Sequence, residues 1–287
     1  MISKSTSRVN YVCSNTTMFD NNSKYQANLN TLFRFLSSNS TNPTGFHQAV
    51  SGNGENAKDT IEAVYGPFLC RGDQNISSCQ DCVTTATTTD LPNLYCPNRK
   101  EAIIWYDECM VRYSNKSFFN TMDDSWAVIM WYNGNINTTG NATRFMELMY
   151  NMMNNVIAVR AADGGKQKKF ATDLVKVSKF RTIYGLGQCT PDLSASDCNL
   201  CLVDAIGKFT VSQFGRVLQP SCYAEYDVHP FFDMSTLPAP PSSQPSEPPI
   251  PSPTDEFTHS SGKVSNTGKT ATLITVSTFL FVIAVAV

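Results

Sequence analysis

Tyr65–Val83 reads YGPFLCRGDQNISSCQDCV, and Tyr184–Leu202 reads YGLGQCTPDLSASDCNLCL. Each stretch is a Tyr-Gly lead followed by C-x8-C-x2-C. Cys70, Cys79 and Cys82 recur as Cys189, Cys198 and Cys201 at one common offset of about 119 residues, the mark of a tandem duplication. A further cysteine closes each copy, Cys109 in CMVRY and Cys222 in CYAEY.

The same elements surround the motif in both copies. Leu29, Leu32, Phe33 and Leu36 stand at the spacing of one helical face. Phe145, Leu148, Met149, Met152, Val156 and Val159 form the matching stripe in the second copy, where the methionines read as core filler. A second helix is expected near each C-x2-C, with Ser77 three before Gln80 and Ser194 three before Asp197 as capping-box-like starts. Strand-like runs then follow, AIIWYDECMVRY and GRVLQPSCYAEYDVHPFF. Helices against an antiparallel sheet make an α+β domain. The copies are placed at residues 8–118 and 124–233, followed by a Pro/Ser-rich stalk over 234–270 and a hydrophobic segment over 271–287.

The 287 residues carry 41% hydrophobic side chains, enough to fill real cores, which excludes a wholly disordered chain. A net charge of −2 with 16% charged residues lacks the basic face of a nucleic-acid binder. Lys166, Lys168 and Lys169 accordingly read as a solvated loop. Ten cysteines suggest an oxidising compartment. Seven glycosylation sequons, at Asn15, Asn21, Asn39, Asn75, Asn115, Asn137 and Asn141, point the same way. The start, MISKSTSRVN, has no apolar h-region, so the expectation is a signal peptide absent from this chain or unconventional export.

At the other end, LPAPPSSQPSEPPIPSP favours an extended stalk. Beyond it, small residues Ser260, Ser261 and Gly262, a polar spacer to about Thr270 and the tail Ala271–Val287 fit a GPI signal attached at Ser260. A single-pass membrane segment is the alternative.

C-x2-C fits a redox dithiol, a zinc site or structural bridges. Each motif here is a three-cysteine set without a thioredoxin-like pattern around it. His47, His229 and His259 are not placed to complete zinc sites, so no metal is expected. An even count with no leftover thiol favours bridges. Arg71-Gly72-Asp73 spells an adhesion tripeptide, read as chance. No hydrolase, metalloprotease, phosphate-loop or kinase signature is present, and neither catalysis nor a cofactor is expected.

With its tandem C-x8-C-x2-C and YVCSNTT before the first helix, residues 8–233 resemble the plant ginkbilobin-homologous family. These are the salt-stress/antifungal domains of cysteine-rich receptor-like kinases, cysteine-rich repeat secretory proteins and plasmodesmata-located proteins. The resemblance implies two helices on a five-stranded antiparallel sheet, twice over. It implies bridges Cys13–Cys96, Cys70–Cys79 and Cys82–Cys109 in the first copy, and Cys189–Cys198 and Cys201–Cys222 in the second. Some single-domain relatives resemble mannose lectins that use an Asn, an Arg and a Glu. The first copy has Ser14, Ile103 and Ser114 at those positions; the second has Arg216 and Asp227 but lacks the first cysteine and its Asn.

The function this resemblance implies is a non-enzymatic extracellular recognition or co-receptor module in stress or defence signalling. Its place is the outer face of the plant plasma membrane or the apoplast, plasmodesmata included. Expected partners are an extracellular ligand such as cell-wall carbohydrate or a receptor-kinase ectodomain, and the membrane through the C-terminus. Alternatives are an apoplastic thiol-redox sensor, a mannose-binding antifungal lectin, and the ectodomain of a longer receptor-like kinase.

Overall fold

The computed structural model describes residues 9–52, 62–132, 141–165 and 168–238. The first repeat runs β1 (Asn10–Cys13), α1 (Lys24–Ser38), β2 (Phe46–Ser51), β3 (Val64–Cys70), α2 (Ile76–Thr85), β4 (Ala102–Trp105) and β5 (Cys109–Tyr113). The second runs β6 (Val128–Trp131), α3 (Asn141–Met152), β7 (Lys169–Ser178), β8 (Arg181–Cys189), α4 (Ala195–Gly207), β9 (Phe214–Leu218) and β10 (Cys222–Asp227). Each forms a five-stranded antiparallel sheet, ordered β1-β4-β5-β3-β2 and β6-β9-β10-β8-β7. The two orders are identical once corresponding strands are matched.

In the first repeat, α1 buries Tyr25, Leu29, Leu32, Phe33 and Leu36 as its stripe predicts. They pack with Phe68, Val83, Ile104 and Val111. The second-repeat stripe is displaced. Phe145, Met149 and Met152 are buried, but Val159 is 45% exposed while Met153 and Ile157 are fully buried. The cause is a π-helical stretch, Met153–Ala158, between α3 and the short helix Val159–Asp163. Its wider turn advances the apolar face by a residue. A π-helical stretch also extends α2 over Ala86–Tyr95, around Pro92, which has no N–H to donate.

The second helices start at equivalent positions. Ser194 caps α4 by accepting the Asp197 N–H at 3.0 Å. In α2 the cap is Asn75, whose side-chain oxygen accepts the Ser78 N–H at 2.8 Å. The expectation at Ser77 is corrected: the cap lies two residues earlier, and the repeat offset maps Asn75 onto Ser194.

Strands alternate faces, and the face turned away from the helices is also apolar. Leu69, Ile103, Trp105 and Met110 of the first sheet cluster with Leu218 of the second, flanked by Trp126, Val128, Met130 and Tyr223. The sheets therefore pack face to face with helices on both outer sides. Lys168 is exposed as expected, but the solvated reading is corrected at Lys169, which is 3% exposed and whose ammonium donates to the Ala162 carbonyl at 3.0 Å. Lys166 lies outside the described residues.

Candidate functional site: the seam between the repeats

The seam is polar around its apolar centre. Gln188, immediately before Cys189, is 2% exposed and reaches across it. Its amide nitrogen donates to the Cys70 carbonyl at 3.0 Å, and its oxygen accepts the Gly72 N–H at 3.2 Å. The Lys168 ammonium donates to the Gly72 carbonyl at 2.8 Å. A Cβ on Gly72 would stand 2.3 Å from the Phe170 ring, so this close approach requires glycine.

Arg71 grips Asp73 with two hydrogen bonds, at 2.6 and 2.8 Å, and donates to the Phe231 carbonyl at 3.2 Å. Asp73 in turn accepts the Asp233 N–H at 3.0 Å. Burial disfavours the Asp73 carboxylate, but these partners outweigh it and hold its pKa below the ordinary 3.8. The Arg-Gly-Asp tripeptide is thus a clamp between the repeats.

Arg216 on β9 is 2% exposed. Its guanidinium pairs with Asp107 of the first repeat, donates to the Tyr106 carbonyl at 3.1 Å and lies 3.3 Å from the Glu225 carboxylate opposite it on β10. Burial works against its charge, yet Glu225 and Asp107 more than offset that and raise its pKa.

The connection between repeats is pinned too. The Phe118 ring lies 3.9 Å below the Arg112 guanidinium, which pairs with Asp123. The Asp123 N–H donates to Ser221 at 2.8 Å, and the Asn120 N–H to Asp192 at 2.8 Å. Burial pushes the Asp123 pKa up, but Ser125 and Arg112 bring it below 3.8.

The cysteines form Cys13–Cys96, Cys70–Cys79, Cys82–Cys109, Cys189–Cys198 and Cys201–Cys222. None is free. Pairing register puts Trp131 of β6 where β1 has Cys13, since Cys13 faces Ala102 and Trp131 faces Gly215. No group of three or more metal-binding side chains occurs among the described residues.

The residues suggested for sugar binding are each engaged within the chain. Arg216 is committed inside the seam, whereas Asp227 faces Phe214 across the strands and pairs with His229 at 3.1 Å. Ile103, at the corresponding place in the first repeat, is buried. Asn15, Asn21 and Asn75 are exposed, and Asn39 and Asn115 half-buried. Asn137, the Asn141 side chain, His259, Ser260 and the segment 271–287 lie outside the described residues. Among the described residues no helix is long and apolar enough to cross a membrane.

Sequence reasoning missed the seam. Its signal lies in the differences between the copies: Leu69 against Gln188, Ile103 against Arg216, and Arg112 against Glu225. Each pair occupies one position of the duplicated sheet.

The salt stress response/antifungal family matches residues 12–116 and 132–229. The chain belongs to this family. Within the salt stress response/antifungal family it is 39% identical over 255 residues to cysteine-rich receptor-like protein kinase 25 of Arabidopsis thaliana, covering 86% of this chain and 36% of that protein. It is 35% identical over 236 residues to putative cysteine-rich receptor-like protein kinase 9 of the same plant, covering 81% of this chain and 85% of that one. The chain thus spans about a third of the length of the first of these relatives. Among solved structures, the tandem DUF26 ectodomain of the Arabidopsis thaliana cysteine-rich receptor-like protein PDLP5 matches with a TM-score of 0.61 and 26% identity. The match covers 76% of this chain and 98% of that one. The chain corresponds to the ectodomain-like region of these receptor-like proteins.

Proposed function

We propose that this chain is a non-enzymatic extracellular recognition or co-receptor module at the plant cell surface, acting in stress or defence signalling. The observation that carries the reading is its match to 98% of a receptor-like protein's ectodomain. Complete pairing of ten cysteines supports an oxidising location. The seam supports recognition rather than chemistry. Arg216 and Glu225 are buried and the seam's charged groups are engaged within the chain, which suits a rigid scaffold that presents its outer surfaces.

The test is expression in plant cells behind a supplied signal peptide. Labelling by a membrane-impermeant biotin reagent is expected, together with saturable binding to at least one purified receptor-kinase ectodomain. Retention inside the cell would overturn the reading. Binding of mannose glycans that survives Arg216→Ala, with no ectodomain bound, would favour a lectin built elsewhere on the surface. Release by a phosphatidylinositol-specific phospholipase tests attachment at Ser260.

A further inference from the structure

Phe180 is 98% exposed at the end of the β7–β8 hairpin. It stands in the turn between Ser178 and Arg181, which face each other in the register, with a bulge between Lys176 and Ser178. The strands of this hairpin are ten and nine residues long, against six and seven for β2 and β3. Its paired arm is the longer of the two.

Cations surround the ring in sequence. Lys176 and Lys179 are exposed and Arg181 is half-exposed, and no ion pair engages them among the described residues. The nearest acidic residues along the chain are already occupied. Asp173 pairs with Arg160 at 3.3 Å, and Asp192 accepts the Asn120 N–H.

The turn itself does not call for these side chains. Two-residue hairpin turns favour Asn-Gly or Gly at positive φ, and neither Lys179 nor Phe180 has a positive φ. A fully wetted phenylalanine between two cations goes against local turn chemistry and against burial of apolar surface.

Resting on the extracellular placement proposed above, we infer that this tip is a contact point for anionic headgroups of the outer leaflet, for which phosphatidylserine serves in the test only as a probe of negative charge. Phe180 enters the boundary between headgroups and acyl chains, and Lys176, Lys179 and Arg181 meet the headgroup phosphates and carboxylates. A convex tip suits a plane. A linear polyanion such as an acidic polysaccharide would call for a groove or a row of cations along a face. The contact is separate from any anchoring by the C-terminal segment.

The test uses the full chain carrying Phe180→Trp, with the wild-type protein as the background for its native tryptophans. Vesicles contain brominated phosphatidylcholine, alone or with about a third phosphatidylserine. Quenching of the introduced indole is expected with anionic vesicles only. It should weaken by about fivefold in vesicle affinity for each of Lys176→Gln, Lys179→Gln and Arg181→Gln, and fade as salt is raised. Absence of quenching with anionic vesicles would overturn the proposal. So would quenching that is equal in neutral vesicles or unchanged by removing the cations. A change in the introduced indole's emission caused by soluble polygalacturonate, with no quenching by vesicles, would assign the tip to acidic polysaccharide instead.

Discussion

Gln188 and Cys70 are joined across the seam by a hydrogen bond of 3.0 Å from the amide of one to the carbonyl of the other. Both belong to the motif that defines the duplication, one residue apart in its frame. The first copy has Leu69 where the second has Gln188, so one sheet offers backbone and the other offers a side chain. A duplicated sequence thereby builds an asymmetric interface.

Gln188→Leu restores the residue of the first repeat and leaves the Cys70 carbonyl and the Gly72 N–H without this partner. The expected cost is about 1–3 kcal/mol, read as a lower urea midpoint at unchanged slope. Cleavage between residues 115 and 127 under limited proteolysis should quicken.

Arg216→Ala removes the ion-pair partner that Glu225, which is 2% exposed, faces across the strands. Breaking one side of a buried ion pair is expected to cost about 3–5 kcal/mol. Arg216→Leu with Glu225→Leu removes both charges and should cost less than the single change. Urea unfolding of the three proteins checks the order.

Asp73 and Asp123 both have folded pKa values below the ordinary 3.8. A depressed carboxylate favours folding fully above its unfolded value, and that contribution is lost as pH falls through the folded one. Stability should therefore drop in acid below about pH 4. Asp73→Asn and Asp123→Asn should each flatten the drop, as measured by unfolding midpoints across that range.

Asn75 combines a helix cap with a sequon. Asn75→Ala should cost about 1 kcal/mol, whereas Asn75→Asp keeps the acceptor oxygen and most of that stability. Both abolish glycosylation there. Thermal melts of deglycosylated protein separate the cap from the sugar, and intact mass shows whether the site is occupied.

The duplicated fold is legible because cysteine spacing and apolar periodicity survive in both copies, from Leu29–Leu36 to the strands ending at Tyr113 and Asp227. The α3 stripe drifts because a π-helical stretch changes the residues per turn, and periodicity arguments assume the ordinary value. A capping pattern sought by residue type selects Ser77 and passes over Asn75, although the position equivalent to Ser194 marks it. The seam is hidden for a different reason. Aligning the copies rewards their likeness, and Gln188, Arg216 and Glu225 are places where they part. Trp131 in the place of Cys13 belongs to the same class.

Through this seam the two repeats are expected to unfold as one cooperative body. Differential scanning calorimetry of the disulfide-intact protein is the sharpest check. A single transition is expected, with calorimetric and van't Hoff enthalpies that agree and a midpoint that Arg216→Ala lowers as a whole. Two separable transitions, only one of them moved by Arg216→Ala, would instead show that the repeats unfold independently.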